Sequence, residues 1–373
     1  MIHAEGRRAT WFELFFDLVF VTAVAGLAGR LSEHYGWVGA AQFTFLFLVL
    51  WWLWLGHTFH ASRFDRDRPD QWVVGFAQMV AVVFIAFGAA DAFGYRAWAF
   101  AAGVAGFKLL LMLGYLREIA RPGLRRLCIL YSGIYAGQAA LWAGSLALGD
   151  GAGRTGIWAL ALALDVITPF VVARETYRAP PHPEHLPERF SLFTIILLGE
   201  TAAAAVHAFD HGTQLHRETI VVGLLGAALG FLFWVGYFNR AKGAMSRHVA
   251  DAATGRQLRL WAYAHIPLNI GIASIGAGTV YLAHHNDPQV ASLWLFSIGS
   301  ALAMVGVTVI SLATAGRSLS TSLPYVALAI IAALTPLVLQ TSVALVTAVV
   351  ILATLQVSLS LLRSRLEQSR NGI

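Results

Sequence analysis

Long apolar runs separated by short polar stretches dominate this chain, and their spacing predicts helices rather than strands. A helix needs about 20 predominantly apolar residues to cross a bilayer core. On that rule spans fall near 10–30, 37–60, 71–91, 95–117, 126–148 and 155–174. Six more fall near 188–209, 218–239, 257–283, 289–313, 322–340 and 342–362, the last two divided by little more than "LQTS", so eleven spans remain an alternative to twelve.

Composition supports this reading. Only 12% of the residues are charged and the mean hydropathy is +0.66, against about 25% charged in a soluble domain. The charge of +6 is spent on topology, and no nucleic-acid partner is expected. With the N-terminus inside, 21 of the 26 Lys and Arg residues fall in alternate loops on the cytoplasmic side, Arg189 among them. Four lie opposite, and Lys108 is within a span. That bias predicts a multi-pass protein of the cytoplasmic membrane with both termini in the cytoplasm. Cys128 is the sole cysteine, so neither an intrachain disulfide nor a CxxC motif is available. Glu13 and Asp17 would interrupt the apolar core of a cleaved signal peptide.

The stretch "RAPPHPEHLPERF" (178–190) sits at the midpoint and reads as a Pro/His-rich linker over 179–187. It divides a first half, 1–178, from a second, 188–373. His182 and His185 in it are expected to be solvated rather than metal-bound. Each half opens with Glu and an aromatic-rich run, "ELFFDLVFV" and "ERFSLFTIILLGE", and each second span ends in Trp-x-Gly, "WLGH" and "WVGY". The expected fold is an all-α polytopic membrane protein of about 12 helices, arranged as two parallel six-helix repeats, a plan that places sites near the midplane.

Ionisable groups within spans are functional candidates because burying them is costly unless they are paired or hydrated. Glu200 lies twelve residues beyond Glu188, about 18 Å along its helix, with no basic neighbour in its own segment. Lys108 and Asp165 lie at matching depths and are candidates for an ion pair. Glu13 is explained by a helix start at the cytoplasmic boundary. Asp17, about 6 Å deeper, needs a partner from another helix, for which His57, His60 and Arg63 are candidates. His265 and Asn269 flank Pro267, where a broken helix with polar groups could line a path. His207 and His211 share i, i+4 spacing that could serve one metal ion. No Walker loop, HExxH motif or nucleophile elbow occurs, so neither an enzyme nor a cofactor is expected.

The stretches "WFELFFDLVFV" (11–21) and "ERFSLFTIILLGE" (188–200), together with the run of spans, resemble the bacterial low temperature requirement A (LtrA) family. The matching residues are Glu13, Phe15, Phe16, Asp17, Glu188, Arg189, Phe190, Gly199 and Glu200. The resemblance implies an integral membrane protein of many spans and a link to growth in the cold. It assigns no substrate, so the roles of these residues are argued physically. The favoured function is a proton- or cation-coupled transporter for an unknown small solute or ion, with Glu200, Asp17, Lys108, Asp165, His265 and Asn269 along its path. The alternatives are a non-transporting protein for cold or envelope adaptation, and a lipid-acting enzyme built on Asp17, His57 and His60.

Overall fold

The computed structural model describes residues 8–64, 69–149, 151–210, 216–241, 249, 251–285, 287–315 and 319–370. Arg7, Arg66, Arg68, Lys242, Arg247 and Arg317, all counted among the loop cations, lie outside these residues, as does His211 of the proposed histidine pair.

Among the described residues the chain is helical and has no strand. The long helices are α1 (Trp11–Glu33), α2 (Trp37–Phe64), α3 (Pro69–Ala89), α4 (Ala97–Arg117), α5 (Arg125–Gly144) and α6 (Ala152–Val171). After a short α7 (Ala173–Arg178) come α8 (His185–Asp210), α9 (Arg217–Ala241), α10 (Ala252–His284), α11 (Val290–Ala315), α12 (Leu323–Leu334) and α13 (Ser342–Arg370). Each of the twelve expected stretches carries a helix, and among the described residues eleven are long and apolar enough to cross a membrane, α12 together with its flanking 3₁₀ turns as Ser320–Leu337. The exception is α5, which spends Tyr131, Ser132, Tyr135 and Gln138 on its buried face.

Two corrections concern helix ends. The linker reaches only to residue 184, because α8 starts at His185 and tolerates Pro187 in its first turn, where the missing N–H would have no partner anyway. And α10 is not broken at Pro267: it runs unbroken for 33 residues. Close packing supports it there, since a Cβ on Gly271 would lie 2.4 Å from Gly299 O and 2.7 Å from Ala303 N.

The chain divides into two compact units, one taking in the described residues of 1–27, 45–193 and 245–259, the other those of 28–44, 194–244 and 260–373. In the first, α4 packs along both α3 and α5. Gly88 of α3 lets the backbone of Phe100 approach, because a Cβ there would meet Phe100 N at 2.2 Å. In the second, α11 packs on α9 and α12, and α13 on α9. On α3 the residues Phe76, Val80, Val83, Phe84 and Phe87 are exposed at spacings of three or four, a continuous apolar stripe. In water such a stripe would be an aggregation liability, whereas in a bilayer it is the lipid-facing surface.

Candidate functional site: a buried ion cluster beside a polar cavity

Helix α1 begins with a reciprocal cap. The Thr10 hydroxyl accepts from the Glu13 backbone N–H at 3.2 Å, and Glu13 Oε2 accepts from the Thr10 N–H at 2.9 Å. This is the Ser/Thr-x-x-Glu capping box, which satisfies two otherwise orphaned donors. The helix-start account of Glu13 therefore holds locally, but its boundary placement does not. The carboxylate is 1% exposed, within 2.9 Å of His185 Nε2 and 3.2 Å from Arg189 Nη1.

Asp17, one turn deeper and fully buried, is held by three donors. Arg189 gives a two-pronged contact, Nε to Oδ2 at 2.9 Å and Nη2 to Oδ1 at 2.6 Å. The Trp54 indole N–H adds a third bond to Oδ1 at 2.7 Å. The planar guanidinium matches the two carboxylate oxygens, which makes this the strong form of a charged hydrogen bond. The expected partners His57, His60 and Arg63 are thus replaced by Arg189, which is not a loop cation but a fully buried residue of α8. Depth along α1 was readable from sequence; a partner 172 residues away was not.

The linker is correspondingly not solvated. His182 is 3% and His185 0% exposed. The His182 backbone N–H donates to Ser62 Oγ at 3.0 Å, and Arg63 Nε donates to Ala179 O at 3.0 Å, which strap the linker to the end of α2. Glu188 accepts from the Ala9 N–H at 2.8 Å. Phe190 meets Trp51 and Trp54 edge-on, with ring centroids 5.7 and 5.0 Å apart, so the indole that holds Asp17 is itself clamped. The first motif and the start of the second, Glu188 to Phe190, far apart in the chain, therefore form one cluster, which Gly199 and Glu200 do not join. Phe15 stands outside it, 55% exposed.

Phe16 connects this cluster to a cavity. Its ring stacks on His57 with centroids 3.7 Å apart, and His57 lines a cavity of about 310 Å³ among α2, α3 and α4. His57, Gln78 and Leu111 form its inner part, while Asp70, Arg117 and Glu118 lie at the neighbouring ends of α3 and α4. Asp70 to Gln78 is eight residues, so the cavity reaches about 12 Å along α3. Gln78 Oε1 lies 2.8 Å from His57 Nδ1. The far imidazole nitrogen, Nε2, is buried without a hydrogen-bond partner among the described residues. Gln78 was missed from sequence; a lone glutamine in the apolar stretch of α3 that follows its polar first turn was the available signal.

Lys108 and Asp165 form a separate pair in the same unit. Nζ lies 2.5 Å from Oδ1, both groups are buried, and the Tyr135 ring lies 5.3 Å from the ammonium. Neither residue lines the cavity.

The remaining candidates belong to the second unit. His265 is buried, with Nε2 3.0 Å from the Tyr237 hydroxyl and Nδ1 2.8 Å from Trp261 O, so both ring nitrogens are engaged. Asn269 Oδ1 accepts from Thr194 at 3.5 Å. Glu200 is partly exposed and makes no hydrogen bond or ion pair among the described residues, and Gly199 beside it is exposed. The described residues hold no group of three or more His, Cys, Asp or Glu side chains arranged for a metal ion.

These features define a helical, multi-pass membrane protein, in contact with lipid, with a buried ion cluster joining two distant helix starts. Residues 8–357 match the model for the bacterial low temperature requirement A protein (LtrA), and the chain belongs to that family. It is also similar to the Rhizobium meliloti (strain 1021) protein named "Uncharacterized protein RA0937". The two are 26% identical over 298 residues, covering 76% of this chain and 71% of that protein.

Proposed function

We propose that the chain is a secondary transporter of the cytoplasmic membrane, with both termini in the cytoplasm and a proton or cation as coupling ion. The observation that carries this reading is the cavity among α2, α3 and α4, which brings polar side chains about two turns into an apolar bundle. The charge bias of the loops places its charged end on the cytoplasmic side. Glu200 is the coupling site in this reading, since a carboxylate midway along an apolar helix without a partner is suited to carry a proton. The two-repeat plan rests on the matched Glu-aromatic starts and Trp-x-Gly ends. Asp17, Lys108 and Asp165 act as structural anchors, and no enzymatic step is assigned, because Asp17 is too deeply buried to meet a headgroup.

The test is solute flux into proteoliposomes under an imposed proton gradient. Gradient-driven flux that Glu200→Gln abolishes is the expected result. Identical behaviour of the variant and the wild type across a broad panel of solutes removes the coupling role.

A second reading, a non-transporting protein for cold or envelope adaptation, is favoured by one observation: the buried carboxylates Glu13, Asp17 and Asp165 of the first unit are each held by a cation, Arg189 or Lys108. It predicts that Lys108→Leu/Asp165→Leu supports growth in the cold, whereas the transporter reading predicts loss of coupled flux in any variant that loses Glu200.

A further inference from the structure

The inner end of the cavity carries a definite hydrogen-bond pattern. With Gln78 Oε1 accepting at 2.8 Å, His57 Nδ1 bears the hydrogen, so the ring is fixed as the tautomer whose Nε2 is an acceptor. His57 is 8% exposed, lines the cavity, and its Nε2 has no partner among the described residues. The Gln78 amide, its oxygen occupied, retains N–H donors. The pair therefore keeps one free acceptor, on His57, and free donors, on Gln78. Around them stand Val74, Gly75, Leu110 and Leu111; His60, one turn nearer the helix ends, adds a second imidazole whose Nε2 has no partner among the described residues, and Gln71 and the ionisable Asp70, Arg117 and Glu118 stand at the helix ends. A charged solute at the inner end would be desolvated without a counter-charge, which disfavours it. A hydroxyl or carboxamide, which both donates and accepts, satisfies both groups at once. The volume of about 310 Å³ lies at the lower end of ordinary small-molecule sites, about 300–1,000 Å³.

We propose that this cavity binds an uncharged, hydroxyl- or amide-bearing small molecule, with His57 Nε2 accepting from it and the Gln78 amide donating to it. The inference deepens the transporter reading and rests on the same cavity. It is tested without transport. Val74 lines the cavity, so Val74→Cys in a Cys128→Ser background gives the full-length protein a single thiol for alkylation by a membrane-permeant maleimide. Erythritol and urea, each tested against choline chloride at equal osmolarity, are the probes.

Erythritol or urea is expected to slow labelling about twofold at half-occupancy, choline to have no effect, and His57→Phe to abolish the protection. His57→Phe keeps the ring against Phe16 and removes the acceptor. Gln78→Leu removes the donor, and whichever variant folds must lose protection. Protection by choline, protection that survives in a folded variant, or no protection by either neutral probe overturns the assignment. Protection without flux in proteoliposomes leaves the ligand class standing and removes the transporter reading, whereas flux of choline alone does the reverse.

Discussion

Two buried ionic sites in the first unit solve the same problem differently. Lys108 and Asp165 neutralise each other one to one at 2.5 Å, between helices near each other in the chain. Arg189 instead faces two carboxylates, Glu13 and Asp17, and the balance is completed by neighbours: an indole N–H, a capping backbone, and His185 at 2.9 Å. A closed pair can be removed as a unit, because replacing both charges with apolar groups of similar size is often neutral or stabilising. A network with unequal numbers of charges cannot, since every deletion strands another group. The pair therefore specifies depth, while the cluster specifies which chain segments must meet.

The largest effect expected from breaking this contrast is Arg189→Met. It leaves two carboxylates buried without their cation, at a cost of about 3–5 kcal/mol or more, a large fraction of an ordinary stability of about 5–15 kcal/mol. Loss of the monodisperse peak in detergent gel filtration is the expected readout. Exchanging the charges, Asp17→Arg with Arg189→Asp, is not expected to restore it. The introduced arginine would face the Trp54 N–H, and the introduced aspartate would face Glu13.

Next comes Asp165→Leu, which strands the ammonium of Lys108 at about 3–5 kcal/mol. Here the companion change Lys108→Leu should restore the thermal midpoint, and the exchange Lys108→Asp with Asp165→Lys should fold. Failure of both rescues would show that the pair is a network like the other. Trp54→Phe keeps the aromatic clamp and loses one bond to a charged acceptor, worth about 1.5–3 kcal/mol, readable as a lowered unfolding midpoint. Thr10→Ala, which removes half of the capping box, is the smallest, about 1 kcal/mol. It should be additive with Asp165→Leu, because the two sites share no partner.

The contrast also explains what could be read in advance. Lys108 and Asp165 sit at equal distances from basic helix ends, and depth alone matched them. For Asp17, depth along α1 pointed to His57, His60 and Arg63 because they share a membrane level with it, but level does not choose among helices. Arg189 was hidden by its neighbourhood: adjoining prolines and histidines made residues 178–190 look like a solvated loop. His182 and His185 were misread for the same reason, since burial in a strap against Ser62 depends on what lies across from it. Pro267 suggested a break in α10 that close packing at Gly271 overrides.

The sequence by itself determined the solvent, the helical class and the places of the helices, because these follow from apolar length and from where cations are affordable. It also marked, through two Glu-aromatic runs, the segments that matter. Only the tertiary structure decided that those runs are two sides of one ion cluster, and that His57 and Gln78 share a cavity. Partner choice between helices depends on side-chain geometry across the bundle, and a one-dimensional pattern of hydropathy carries no record of it.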